Sequence, residues 1–135
     1  MSLPLGSACG IVVLMIESWV TDDGSAVQVV LETLRARIGE GQLETWLTSS
    51  SGRKLAFVTN AERAMVVLMN GDDDAGEHAV DPGAEGSSDG FVLSNGQDDE
   101  YPDVDTVPLE EAFRIVDHIV SSGSWPADAR WTVER

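Results

Sequence analysis

Hydrophobic residues along this chain recur at two spacings, and the change from one to the other marks its elements. The β-branched run from Ile11 to Val20 predicts a central strand, and Asp22-Asp23-Gly24 turns the chain behind it. Ser25 with Gln28 forms a capping box, and Val27, Val30, Leu31, Leu34 and Ile38 share one helical face. A first helix is therefore expected from Ser25 to Ile38, with Gly39 at its end. Leu43 to Ser49, Lys54 to Thr59 and Ala64 to Met69 read as three short strands. The turn segments Ser50-Ser51-Gly52-Arg53 and Asn60-Ala61-Glu62-Arg63 make them antiparallel neighbours.

Residues 70 to 90 hold seven acidic residues and five glycines without a Lys or Arg, so a mobile acidic loop or a poorly ordered hairpin is expected there. Asn95-Gly96 suits a two-residue hairpin turn, which sends the next strand past Tyr101. A second helix starts at Pro108, whose fixed φ and missing N–H suit a first helical position, and Glu110 and Glu111 complement its dipole. Leu109, Ala112, Phe113, Val116 and Val120 line one face, Gly123 stops the helix, Pro126 prevents its resumption, and Trp131-Thr132-Val133 reads as a last strand. Residues 1 to 9 carry no periodic pattern and read as a frayed terminus or an appended leader. The fold class that follows is α+β: one domain with a mainly antiparallel sheet of about six strands packed against two main helices.

Charge narrows the choice of partners. The 135 residues include 24 Asp and Glu against 8 Lys and Arg, a formal net charge of -16. Such a surface cannot neutralise phosphates by releasing counterions, which argues against nucleic acid and anionic membranes as direct partners. It attracts basic surfaces instead, although general solubility accounts for the same acidity. The run Ile11 to Ile16 lacks a basic segment before it and meets Glu17 at once, so it fails as a signal peptide or a spanning helix. Cys9 is the only cysteine, which excludes an internal disulfide and suits a reducing cytoplasm.

Catalytic motifs are sparse. Gly86-Ser87-Ser88-Asp89-Gly90 matches the nucleophile-elbow pattern of hydrolases, but neither the strand before it nor the helix after it is predicted. Asp72, Asp74 and Gly76 suggest a calcium loop, yet Glu77 and Gly83 occupy the positions where such a loop needs Gly and Glu. His78 and His118 have no second ligand at metal-binding spacing, and His118 reads as a surface residue of the second helix. No enzymatic activity, cofactor or metal is therefore expected. Trp19 and Trp131, inside predicted strands, are expected in the core, whereas Trp125, between Gly123 and Pro126, is the best candidate for a half-exposed anchor.

The order of Tyr101-Pro102, Val107-Pro108-Leu109, a helix through Ile119, Gly123, Pro126 and Trp131 resembles the C-terminal pattern of the Imm1 family of bacterial immunity proteins. That resemblance covers the last quarter of the chain and, more loosely, the earlier Trp-containing strands. It implies a non-catalytic cytoplasmic antidote that binds and neutralises a cognate toxin in a polymorphic toxin system, often a nucleic-acid deaminase or nuclease. The acidic segment at 70 to 90 departs from an average member and leaves the toxin's identity open. Tyr101 and Trp131 are expected to hold the second helix and the strands together. Toxins acting on nucleic acid need basic grooves, so the expected contacts are Asp98, Asp99, Glu100, Asp103 and Asp105, then Asp72, Asp73 and Asp74, with Trp125 as an apolar anchor. The alternative reading is a small-ligand-binding or regulatory homodimeric module using an open sheet face or edge.

Overall fold

The computed structural model describes residues 17–71 and 73–133. The expected strand residues Ile11 to Ile16, the terminus with Cys9, and Asp72 lie outside them. The described chain runs β1 (Trp19–Thr21), α1 (Val30–Gly39), β2 (Glu44–Ser49), β3 (Lys54–Thr59), β4 (Arg63–Met69), β5 (Glu77–Ala79), β6 (Ser87–Val92) and β7 (Asp98–Pro102). A 3-10 turn (Asp103–Asp105), β8 (Val107–Pro108), α2 (Leu109–Ser122) and β9 (Trp131–Val133) complete it.

Six strands follow one another across the main sheet in the order β1-β2-β3-β4-β5-β9, β8 also pairs with β4, and β6 and β7 form a separate hairpin. Every pairing is antiparallel. The described residues are thus α+β, with a mainly antiparallel sheet and two helices, as the periodicities predict.

Alternation along β2 and β4 determines which face is buried. Leu47, Val66 and Leu68 join Leu55 and Phe57 of β3 in the core, where Leu34 of α1 and Phe113, Val116 and Ile119 of α2 meet them. Phe57 stacks on Phe113 with ring centroids 5.9 Å apart. Fully burying each such side chain contributes about 1.5 to 3 kcal/mol, so this layer holds the helices to the sheet. Glu44, one residue out of phase with the buried Thr45 and Leu47, faces the opposite side. There it accepts the backbone N–H of Ser94 at 2.9 Å, while Asn60 donates to the Asp89 carbonyl at 2.9 Å. These bonds hold the β6–β7 hairpin against the face of the sheet away from the helices.

Several boundaries differ from the sequence expectation for local reasons. The first helix begins at Val30, not Ser25, because residues 25 to 27 pair back on β1. Val27 N–H reaches the Trp19 carbonyl, and the Asp23 carboxylate accepts the Ser25 N–H, so Ser25 is not a helix cap. The same helix ends in a Schellman arrangement with Gly41, φ +83°, in the left-handed position assigned to Gly39. Pro108 precedes the second helix instead of opening it, and its ψ of 149° keeps it in β8. Gly123, φ +86°, terminates that helix as expected.

Residues 70 to 90 are not a featureless loop: they contain β5 and most of β6. Asn95-Gly96 belongs to a three-residue connection, because Leu93 and Gln97 are hydrogen-bonded across it and only Gly96 has positive φ there. Trp19 is buried as expected, but Trp131 is 41% exposed because it lies on β9 at the end of the strand order.

Candidate binding surface

The acidic stretch expected to be a turn is a strand followed by a 3-10 turn, and this separates its carboxylates. Along β7, Asp98 and Glu100 point outward, whereas Asp99 and Tyr101 are half-buried. Tyr101 packs edge-on against the buried Phe91, with centroids 5.0 Å apart, and donates its hydroxyl to Asp99 at 2.8 Å. Burial and then the Asp99 hydrogen bond push the Tyr101 phenol up to about 12, so it remains a donor at neutral pH.

The register between β6 and β7 shifts between the pairs Ser88–Tyr101 and Phe91–Asp99. Asp89 and Gly90 therefore both face Glu100, and this bulge brings Asp89 beside the outward carboxylates. Gly90 occupies a φ of +86°, and its N–H donates to Asp98 at 3.0 Å. Asp89, Asp98 and Glu100 are all exposed, on an arm attached to the sheet through Phe91, Asn60 and Glu44. Between Ala64 and Phe113 the chain has no Lys or Arg, but it has fourteen Asp and Glu residues.

Four other expected contact residues, Asp74, Asp103, Asp105 and Trp125, have internal partners. Arg63 donates to Asp81 at 2.6 Å, to the Thr106 hydroxyl at 2.8 Å and to the Asp103 and Thr106 carbonyls, and its guanidinium lies 3.8 Å from the Asp103 carboxylate. Ser88 donates to the same Asp103 carboxylate at 2.6 Å. Asp103 thus ties the hairpin and the 3-10 turn to β4. Asp105 meets His78 Nε2 at 3.0 Å. Asp74 closes its own loop by accepting the N–H groups of Asn70 and Gly76, while Asp73 is exposed and Asp72 lies outside the described residues. Trp125 is half-buried, donates to Glu77 at 2.9 Å and stacks on Trp131 at 5.7 Å.

Five of the six described arginines also form ion pairs within the chain. Arg37 approaches Asp22 at 3.6 Å, and Arg53 holds Glu17 down to about 2 through a charge-assisted hydrogen bond. Arg114 pairs with Glu111 and Asp128. The Thr21 hydroxyl and then the Ser25 N–H hold Asp23 at about 2, at the rim of a cleft of about 510 Å³ between Arg37 and Leu93.

Ser88 lies within β6, with its hydroxyl committed to Asp103, so the nucleophile-elbow pattern has neither the turn nor the following helix it requires. Among the described residues no helix is long and apolar enough to cross a membrane, and no group of three His, Cys, Asp or Glu side chains is placed to hold a metal. No family model and no curated protein matches the chain.

Asp89 was missed as a candidate contact. Its signal was faint: Gly86-Ser87-Ser88-Asp89-Gly90 has the composition of a loop, and only pairing with β7 makes it a strand.

Proposed function

We propose that this chain is a non-catalytic immunity protein that binds a basic toxin surface through the outward face of its β6–β7 hairpin. The observation that carries the reading is the exposed set Asp89, Asp98 and Glu100, on an arm anchored to the sheet, in a stretch that contains no cation of its own. A prearranged acidic strand pair can enter a basic substrate groove and exclude nucleic acid, because electrostatic complementarity speeds encounter and selects against partners of the same sign. The Imm1-like order of residues from Tyr101 to Trp131 supports the same reading independently of charge, and the resemblance implies a location in the cytoplasm, where the toxin would act. The two arguments concern different residues: Tyr101 builds the arm, and the carboxylates face the partner.

Co-expression with the toxin-like product of a neighbouring gene tests the assignment. Growth rescue together with co-purification of a stoichiometric complex is expected. Lack of binding to any neighbouring product would overturn it.

A further inference from the structure

We propose that the cleft between the β1–α1 turn and the tip of the β6–β7 hairpin is a socket for one arginine side chain of the protein partner, an inference that rests on the immunity reading above. The cleft holds about 510 Å³, and everything that lines it falls between residues 22 and 94. Leu43, Val92 and Leu93 are its apolar lining, and Asp22 and Asp23 are its carboxylates. Asp23 accepts the Thr21 hydroxyl and the Ser25 N–H through Oδ1 alone. These bonds hold its pKa at about 2, so it is ionised at neutral pH. Asp22 approaches Arg37 through Oδ1. Each carboxylate therefore spends one oxygen inside the chain and keeps the other for an incoming donor.

Arg37 also lines the cleft, but its guanidinium is committed. Its Nε donates to the Thr45 hydroxyl at 2.8 Å and its Nη2 to the Glu44 carbonyl at 3.3 Å, with Asp22 3.6 Å away. Two carboxylates against one guanidinium leave the cleft a negative charge in excess, so it favours a cation over an anion. A compact ammonium would use the carboxylates alone. An arginine uses the whole cleft, because its stem covers apolar surface and its planar fork reaches two oxygens at once. The walls are set before a partner arrives: the Ser94 N–H bonds Glu44 at 2.9 Å and holds the hairpin tip to β2. Little ordering cost therefore falls on binding. The cleft also adjoins the displayed carboxylates, since Val92 pairs with Asp98 across the hairpin and residues paired in this way project to one face. A basic groove that meets Asp98 and Glu100 thus carries its own side chains past Val92 to the socket.

Titration of the isotope-labelled full chain with N-acetyl-arginine methylamide, followed through backbone amide shifts, tests the socket without any toxin. Saturable shifts concentrated at Gly41, Gln42, Leu43 and Leu93 are expected, with the lysine counterpart weaker and the norleucine counterpart silent. Asp22→Asn/Asp23→Asn keeps the acceptors of the turn and should weaken the arginine probe about tenfold. Glu85→Gln, at an exposed carboxylate outside the cleft, should leave it unchanged. In the complex with the neighbouring-gene toxin, the same double variant should dissociate about tenfold faster. Shifts that spread over the acidic surface without saturating, tighter binding of the glutamate counterpart, or dissociation from the toxin unchanged by the double variant would each overturn the socket. The last of these would leave the immunity reading intact. A toxin that never binds would overturn that reading, while the probe still decides the socket.

Discussion

Glu17 and Asp98 are both acidic, yet one is committed within the fold and the other faces solvent. Two guanidinium nitrogens of Arg53 reach the Glu17 carboxylate, one of them also bonds the Gly123 carbonyl at 2.8 Å, and the Glu17 side chain is only 15% exposed. The fold lowers its pKa from 4.5 to about 2. A depressed carboxylate pKa contributes stability that is fully present above the unfolded value and is lost as pH falls toward the folded one. Glu17→Gln should therefore destabilise the protein by about 2 kcal/mol at pH 7, and the difference should shrink steadily between about pH 5 and pH 2. Urea denaturation of both proteins across that range checks it, and a constant difference would contradict the assignment. Arg63 makes the same point about legibility. Its partners Asp81, Asp103 and Thr106 lie 18 to 43 residues away, so nothing in the local pattern distinguishes Asp103, which is anchored, from Asp98, which is displayed.

At the scale of elements, period and turn chemistry located what is local. The spans of β3 and the end of α2 follow from β-branched runs and from Gly123, whose positive φ ends the helix. What pairing decides was not legible. Residues 25 to 27 have a helical pattern but bond to β1, and Gly86 to Gly90 look like a loop but face β7. The hairpin is the element on which the candidate surface depends, and its tip turns at Gly96 with φ +89°. Gly96→Ala should cost about 1 to 2 kcal/mol, because a Cβ disfavours the left-handed region, although open space surrounds the position. The loss should appear in urea denaturation and as faster amide exchange at Leu93, which bonds across that turn to Gln97. An unchanged exchange rate would mean that the turn does not hold the arm.

For the molecule as a whole, charge separates into an internal and an external part. Arg35, Arg37, Arg53, Arg63 and Arg114 each meet a carboxylate of the same chain. The long stretch without cations, from Ala64 to Phe113, includes the arm that carries Asp89, Asp98 and Glu100. Added salt should screen the attraction of that arm to a basic toxin. The most direct measurement is the association rate with the neighbouring-gene toxin, by stopped flow over a range of ionic strength, for the parental chain and for Asp89→Lys/Asp98→Lys/Glu100→Lys. The triple variant should associate at least tenfold more slowly at low salt and lose most of the salt dependence. An unchanged rate with an unchanged salt slope would contradict recognition by the acidic arm.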